Sequence, residues 1–209
     1  NAVEQARTSV AELVGASADN IIFTSGATDS LNIVANLNRS VPVVMLIETN
    51  HSSAVTPWLA QGRTINNSRL KVLPVRDDGH VDMAVAGLMI TSLPRGSLLC
   101  MSTVNNSTGS EIPWRVLTTL AHQVGVSVCL DLSQSVTELS EADIFADPQY
   151  RVEWAVFGAH KMYGPTGVGA LYTSYDFSDI AQVKHGGGTL KSYSFEGTQP
   201  HRGTQKHEA

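Results

Sequence analysis

"AVFGAHKMYGPTGVGALY", Ala155–Tyr172, is the stretch on which the fold turns. An apolar run ends at Gly158 and Ala159, the pair His160 and Lys161 follows, glycines recur at 164, 167 and 169, and a second apolar run closes the stretch. Short apolar runs bounded by glycine and proline read as strands buried on both faces, which predicts strands over 154–159 and 168–174 joined by a glycine-rich loop. Lys161 then stands just beyond the end of a buried strand. A chain with only 14 Lys and Arg in 209 residues places one of them where a sheet opens.

The same pattern extends through the rest of the chain. Val3, Ala6, Val10, Leu13 and Val14 recur at helical spacing, and Gly15 is the stop signal. "NIIFTS" (20–25) reads as a strand that passes through a turn of small residues into the helix "GATDSLNIVANL" (26–37). "PVVMLIE" (42–48), "RLKVLPV" (69–75), "GSLLCMSTV" (96–104) and "VSVCLDLS" (126–133) are further strands. "SSAVTPWLAQGR" (52–63) is a helix in which Pro57 is tolerable only near the start, and "VDMAVAGLM" (81–89) is another. "WRVLTTLAHQVG" (114–125) has Pro113 before it and Gly125 at its end, in the order helices favour. Seven strands alternating with helices predict an α/β fold, a mostly parallel sheet covered on both faces.

At 42% hydrophobic and 16% charged residues, the chain can bury a core and reads as one globular domain over 1–209. A net charge of -5 with seven scattered His argues against a nucleic-acid surface and against a polybasic membrane patch. Without an apolar run of ~20 residues or a signal-peptide layout, the expectation is a soluble cytoplasmic protein. The chain lacks an initiator Met and opens inside a helical pattern, as a fragment would. Cys100 and Cys129 sit in apolar runs without C-x-x-C spacing and read as buried free thiols.

Ligands of parallel sheets gather beyond the strands' carboxyl ends. Thr24–Thr28, Glu48–His51, Thr103–Gly109, Asp131–Gln134 and Gly158–Lys161 all fall there, facing one crevice. A lysine desolvated at such a place keeps more neutral amine, the form that attacks a carbonyl carbon, whereas a surface lysine is the plainer reading. Gly26, Ala27 and Thr28 stand where a strand turns into a helix, so free amides can hold a phosphate, with Ser25 or Thr28 hydroxyls assisting; an ordinary N-cap fits the same residues. Asp131 ends an apolar strand and calls for a cationic partner such as a protonated pyridine nitrogen, or else it caps the following segment. His51 either stacks on a planar ring or is structural, and Gln134 either reaches the same ligand or faces solvent. Lysine, carboxylate and helix end are together what pyridoxal 5'-phosphate requires.

From "ARTSVAELVGASADNIIFTSGATDSLN" through "ETNHSSAVTPW", "VNNSTGSEIP" and "DLSQSV" to "FGAHKMYGPTGVGALY", the chain resembles the cysteine desulfurase and selenocysteine lyase group of the class V aminotransferase superfamily. The resemblance implies the fold-type-I large domain, with a seven-stranded mixed sheet whose last strand is antiparallel. By position it implies that Lys161 forms a Schiff base with the cofactor, Asp131 pairs with the pyridine nitrogen and His51 stacks on the ring. Thr28, Gly26 and Ala27 would hold the phosphate with His160 nearby, and Asn106 and Gln134 would contact the phenolic oxygen or the substrate carboxylate region. A Gly-Thr from the neighbouring subunit closes the phosphate site in this group. Gly203 with Thr204 is preferred here over Gly197 with Thr198, which implies a homodimer with composite sites.

Three departures stand out. Gly158 replaces the serine common before Gly-His-Lys, which removes one phosphate hydroxyl. The desulfurases' nucleophilic cysteine and substrate-binding arginine fall outside the chain, and neither Cys100 nor Cys129 matches that position. The group's amino-terminal segment is absent too. The resemblance implies an enzyme that takes an amino acid, L-cysteine first, and mobilises its sulfur, with a sulfur-acceptor protein as partner. An aminotransferase, epimerase or lyase keeps the same motifs, and an inactive binding or assembly module is the reading from another class. A nucleotide-binding domain is disfavoured because the chain has neither a G-x-G-x-x-G turn nor a P-loop.

Overall fold

The computed structural model describes residues 2–137, 145, 147 and 149–208. Seven strands form one sheet: β1 (Ile21–Thr24), β2 (Val44–Ile47), β3 (Leu70–Leu73), β4 (Leu98–Ser102), β5 (Ser127–Asp131), β6 (Trp154–Gly158) and β7 (Gly169–Thr173). Their spatial order is β1-β7-β6-β5-β4-β2-β3. β7 runs antiparallel to both β1 and β6, and the other pairs are parallel. All seven strands expected from the sequence are present, with the last one reversed.

Among the described residues, α1 (Ala2–Leu13) precedes the sheet, and α2 (Ala27–Leu37), α3 (Ser52–Ala60), α4 (Met83–Thr91) and α5 (Trp114–Gln123) connect successive strands from β1 to β5. Alternate residues of each strand enter two separate cores, because successive side chains of a strand point to opposite faces. In β2, Val44 and Leu46 pack toward Trp58 of α3 and Leu31 and Val34 of α2. Met45 and Ile47 join Ala86 and Ile90 of α4 and Leu117 and Ala121 of α5. Burial on both sides is why these strands read as unbroken apolar runs.

The expected helix stops are real: Gly15 and Gly125 take φ of 68° and 72°, which glycine tolerates without a Cβ clash. One expectation needs correcting. Pro57 lies inside α3, beyond its first turn, so the helix gives up one backbone bond there in exchange for burying the ring. Beyond β7, a hairpin of β8 (Leu190–Ser194) and β9 (Gly197–Pro200) was not expected from the sequence. Almost all its residues are exposed, so no apolar alternation marks it. Among the described residues, no helix is long and apolar enough to cross a membrane.

Candidate active site

β1, β2, β4, β5 and β6 all end at the same edge of the sheet, and the loops leaving them enclose a cavity of about 270 Å³. Ala27 and Thr28 line it from the turn after β1, His51 and Ser53 from that after β2, and Asn106 from that after β4. Asp131 and Gln134 come from β5 and its loop, His160 and Lys161 from the turn after β6. The five loops singled out in the sequence therefore share one crevice, as ligand sites of open α/β sheets do.

The phosphate candidate is the start of α2. Gly26 precedes the helix at φ 146° and ψ 174°, a conformation open to glycine, and contributes no side-chain cap. The first-turn amides of Ala27 and Thr28 thus have no side-chain acceptor among the described residues, and both residues face the cavity. This favours an open anion cradle over an ordinary N-cap. Of the two hydroxyls considered, Thr28 faces the cavity. Ser25 is not among the lining residues, and its amide donates to Asp29 Oδ2 at 3.0 Å.

Of the two roles that the sequence left open for His51, the structural one is seen, and the residue also lines the cavity. It caps α3, with Nδ1 accepting the Ser53 amide at 3.2 Å, and its ring lines the cavity. Accepting through Nδ1 leaves the proton of the neutral ring on Nε2. The loop that carries it is riveted where β2 and β4 part: Asn50 Nδ2 donates to the Cys100 carbonyl at 3.0 Å and Asn105 Nδ2 to the Thr49 carbonyl at 2.9 Å. Asn105 is buried and structural, and its exposed neighbour Asn106 is the one that reaches the site.

Asp131, only 8% exposed, ends β5 directly beside Ser102 of β4. One carboxylate oxygen accepts the Ser133 amide at 3.0 Å. No Lys, Arg or His among the described residues forms an ion pair with it, so a nearly buried carboxylate faces the cavity without a cation. A bound cation is the natural complement of that charge.

Lys161 ends a short 3₁₀ turn, Ala159–Lys161, and is exposed. The burial expected for it from the sequence is not found. The turn carries it past the end of β6, where solvent reaches the amine. His160, also exposed, lies beside Gly158: a Cβ on Gly158 would stand 3.1 Å from its ring and 3.6 Å from the Ala27 amide nitrogen. The space of the missing serine is thus bordered by both an imidazole and the α2 amides. Neither Thr198, on exposed β9, nor Thr204, in the turn Gly203–Lys206, lines the cavity of its own chain.

Val104 and Ser133, within the expected ranges but not singled out, also line the cavity, as do Ser53 and Ser102, which lie outside those ranges. Ser102 was the most findable, since a polar residue closing an apolar strand is the same signal that marks Asp131. Cys100 and Cys129 are register neighbours on β4 and β5, both buried. The Cys100 contact and burial push the Cys129 thiol well up, so it holds its proton and is inert.

The class-V aminotransferase family profile matches residues 1–209. A probable cysteine desulfurase of Mycolicibacterium paratuberculosis is 33% identical over 200 residues, covering 91% of this chain and 28% of that protein. A cysteine desulfurase of Klebsiella pneumoniae subsp. pneumoniae is 32% identical over 179 residues, covering 83% and 42%. Among solved structures, the apo cysteine desulfurase from Thermococcus onnurineus NA1 superposes with a TM-score of 0.82 at 26% identity, over 99% of this chain and 51% of that one. The cysteine desulfurase CsdA from Escherichia coli gives 0.77 at 25%, over 100% and 53%. The chain spans half or less of the length of the curated relatives it matches in sequence. Class-V aminotransferases and cysteine desulfurases depend on pyridoxal 5'-phosphate. With one family matched along the whole chain and the fold shared with solved relatives, this chain is a member of the class-V aminotransferase family, of the cysteine desulfurase-like kind.

Proposed function

We propose that these 209 residues form the cofactor-binding domain of a pyridoxal-phosphate enzyme that takes L-cysteine and mobilises its sulfur. The observation that carries the reading is the convergence, on one cavity, of an amine, an unpaired carboxylate and an uncapped helix N-terminus. These fit the cofactor's carbonyl, its pyridine nitrogen and its phosphate. When bound, the cofactor supplies an electron sink for the carbanion formed at the amino acid's Cα.

The chain's own residues divide the remaining work. The amides of Ala27 and Thr28 after Gly26 hold the phosphate, with the Thr28 hydroxyl and His160 as further donors. Asp131 keeps its ring-nitrogen partner protonated by charge. His51 covers one face of the ring, held in orientation by Ser53. Asn106 and Gln134 orient the phenolic oxygen or the substrate carboxylate. Lys161 is the residue that would hold the cofactor covalently, and its amine, when free, would take and return a proton at the substrate's Cα. Because Cys129 and Cys100 are buried, the thiolate that accepts sulfur comes from elsewhere, and the sulfur passes on to an acceptor protein.

An exposed Lys161 supports a composite site in a homodimer, with Thr204 of a neighbouring subunit closing the phosphate end. The cytoplasm is the compartment this reading assigns. The test is a visible absorption spectrum with added pyridoxal 5'-phosphate, then borohydride reduction and peptide mapping. A band in the visible and a pyridoxyl group on Lys161 support the reading; a folded chain with no band and no labelled lysine overturns it. Cysteine-dependent sulfide release, against other amino acids, then separates desulfurase from aminotransferase, epimerase and lyase.

A further inference from the structure

Asp29 stands in the first turn of α2, immediately after Thr28. It shapes the turn before the helix, since its Oδ2 accepts the Ser25 amide at 3.0 Å. A carboxylate also favours the positive end of the helix. The same charge is a liability in a phosphate site, because it lies within one turn of any anion held by the amides of Ala27 and Thr28. The structure contains a remedy from a distant part of the chain. Lys184, in the segment after β7, brings Nζ to 3.4 Å from Asp29 Oδ2, with the two side chains 33% and 27% exposed.

We propose that Lys184 is a positioning residue of the phosphate site: its ammonium cancels the Asp29 charge, so Asp29 can shape the Ser25–Gly26 turn without repelling the phosphate. Neither Lys184 nor Asp29 lines the cavity, so the pair acts through the turn and through its field. This inference rests on the cofactor reading above. It assigns a role to the ion pair that a purely structural latch would not have, namely discrimination between ligands with and without a phosphate.

The experiment titrates the unmutated chain, Lys184→Ala, and Lys184→Ala with Asp29→Asn, against pyridoxal 5'-phosphate and against pyridoxal, at low ionic strength. The Asp29→Asn change keeps a side-chain carbonyl for the Ser25 amide and removes only the charge. Lys184→Ala should weaken pyridoxal-phosphate affinity about threefold to tenfold, with pyridoxal changed less than about twofold. The double variant should recover to within about twofold of the unmutated chain. The difference should shrink at about 0.5 M salt, where the screening length falls to a few ångströms. Equal weakening of both ligands, or no recovery in the double variant, overturns the inference while leaving the cofactor reading intact. If the unmutated chain binds neither ligand, the cofactor reading fails and the inference falls with it.

Discussion

A Cβ built on Gly169 would stand 2.5 Å from the Cα of Gly26 and 2.7 Å from its carbonyl carbon. The first residue of β7 therefore presses backbone to backbone against the turn that opens α2. This contact explains why a glycine-rich loop follows Lys161: the loop must deliver a residue without a side chain to the underside of the phosphate cradle. Gly169 also pairs with Thr24, the last residue of β1. The two glycines couple the lysine loop to the phosphate turn.

Gly169→Ala should then damage both stability and binding. The added methyl also meets the Phe157 carbonyl oxygen at 2.8 Å, and none of these neighbours is a flexible side-chain tip. An overpacked core site costs about 1–3 kcal/mol, to be read from urea unfolding. Pyridoxal-phosphate affinity should fall at least about tenfold as the Gly26 turn is pushed outward. An unchanged affinity would show that the turn does not need this support.

Asp131→Asn separates charge from shape. The side-chain carbonyl of Asn can still accept the Ser133 amide, so the loop after β5 should keep its form. What is lost is the charge that faces the cavity. Replacing a charge-assisted hydrogen bond, worth about 1.5–3 kcal/mol, by a neutral one, worth about 0.5–1.5, removes about 1–1.5 kcal/mol, which is about fivefold to tenfold in cofactor affinity. Absorption titration measures it, and circular dichroism should show an unchanged fold.

The convergence of the five loops was legible in the sequence because each polar cluster interrupts an apolar run at a strand end. Asp131 and Lys161 stood out against their surroundings for that reason. The exposure of Lys161 was not legible, since one short 3₁₀ turn decides it and leaves no periodic trace. Ser53 carries no signal that separates a cavity-lining hydroxyl from a loop hydroxyl, whereas Ser102 closes an apolar strand as Asp131 does. The hairpin of β8 and β9 was missed because it buries almost nothing, and alternation is visible only where one face is dry. Strand order was out of reach of periodicity too; the reversed β7 followed from the family resemblance.

Gly158→Ser restores a hydroxyl at the mouth of α2. Its Cβ would lie 3.6 Å from the Ala27 amide nitrogen and 3.1 Å from the His160 ring. His160 is exposed, so its ring can give way by a few tenths of an ångström at little cost. The new donor should raise pyridoxal-phosphate affinity about threefold and leave pyridoxal affinity unchanged, in keeping with a net hydrogen bond of about 0.5–1.5 kcal/mol. A weakened affinity would mean that the displaced His160 ring matters more than the hydroxyl.

His207 makes stability depend on pH. Fully buried, it contacts the Phe177 ring and places Nε2 at 3.0 Å from the Phe177 carbonyl. A carbonyl only accepts, so Nε2 carries the proton and Nδ1 is the bare nitrogen, buried with no hydrogen-bond partner. Protonating Nδ1 would bury a charged donor with nothing to receive it. Burial accordingly holds the imidazole below its ordinary 6.5, against the upward pull of the Phe177 carbonyl, and Lys206 adds to the lowering. The unfolded chain thus binds a proton more readily than the folded one. The contribution to stability is complete above about pH 6.5 and is lost as pH falls from there toward the depressed folded value. His207→Gln can still donate to the Phe177 carbonyl but does not titrate. Melting temperature followed from about pH 7.5 to about pH 5 should fall more steeply for the unmutated chain than for this variant, and parallel curves would show that another group governs acid sensitivity.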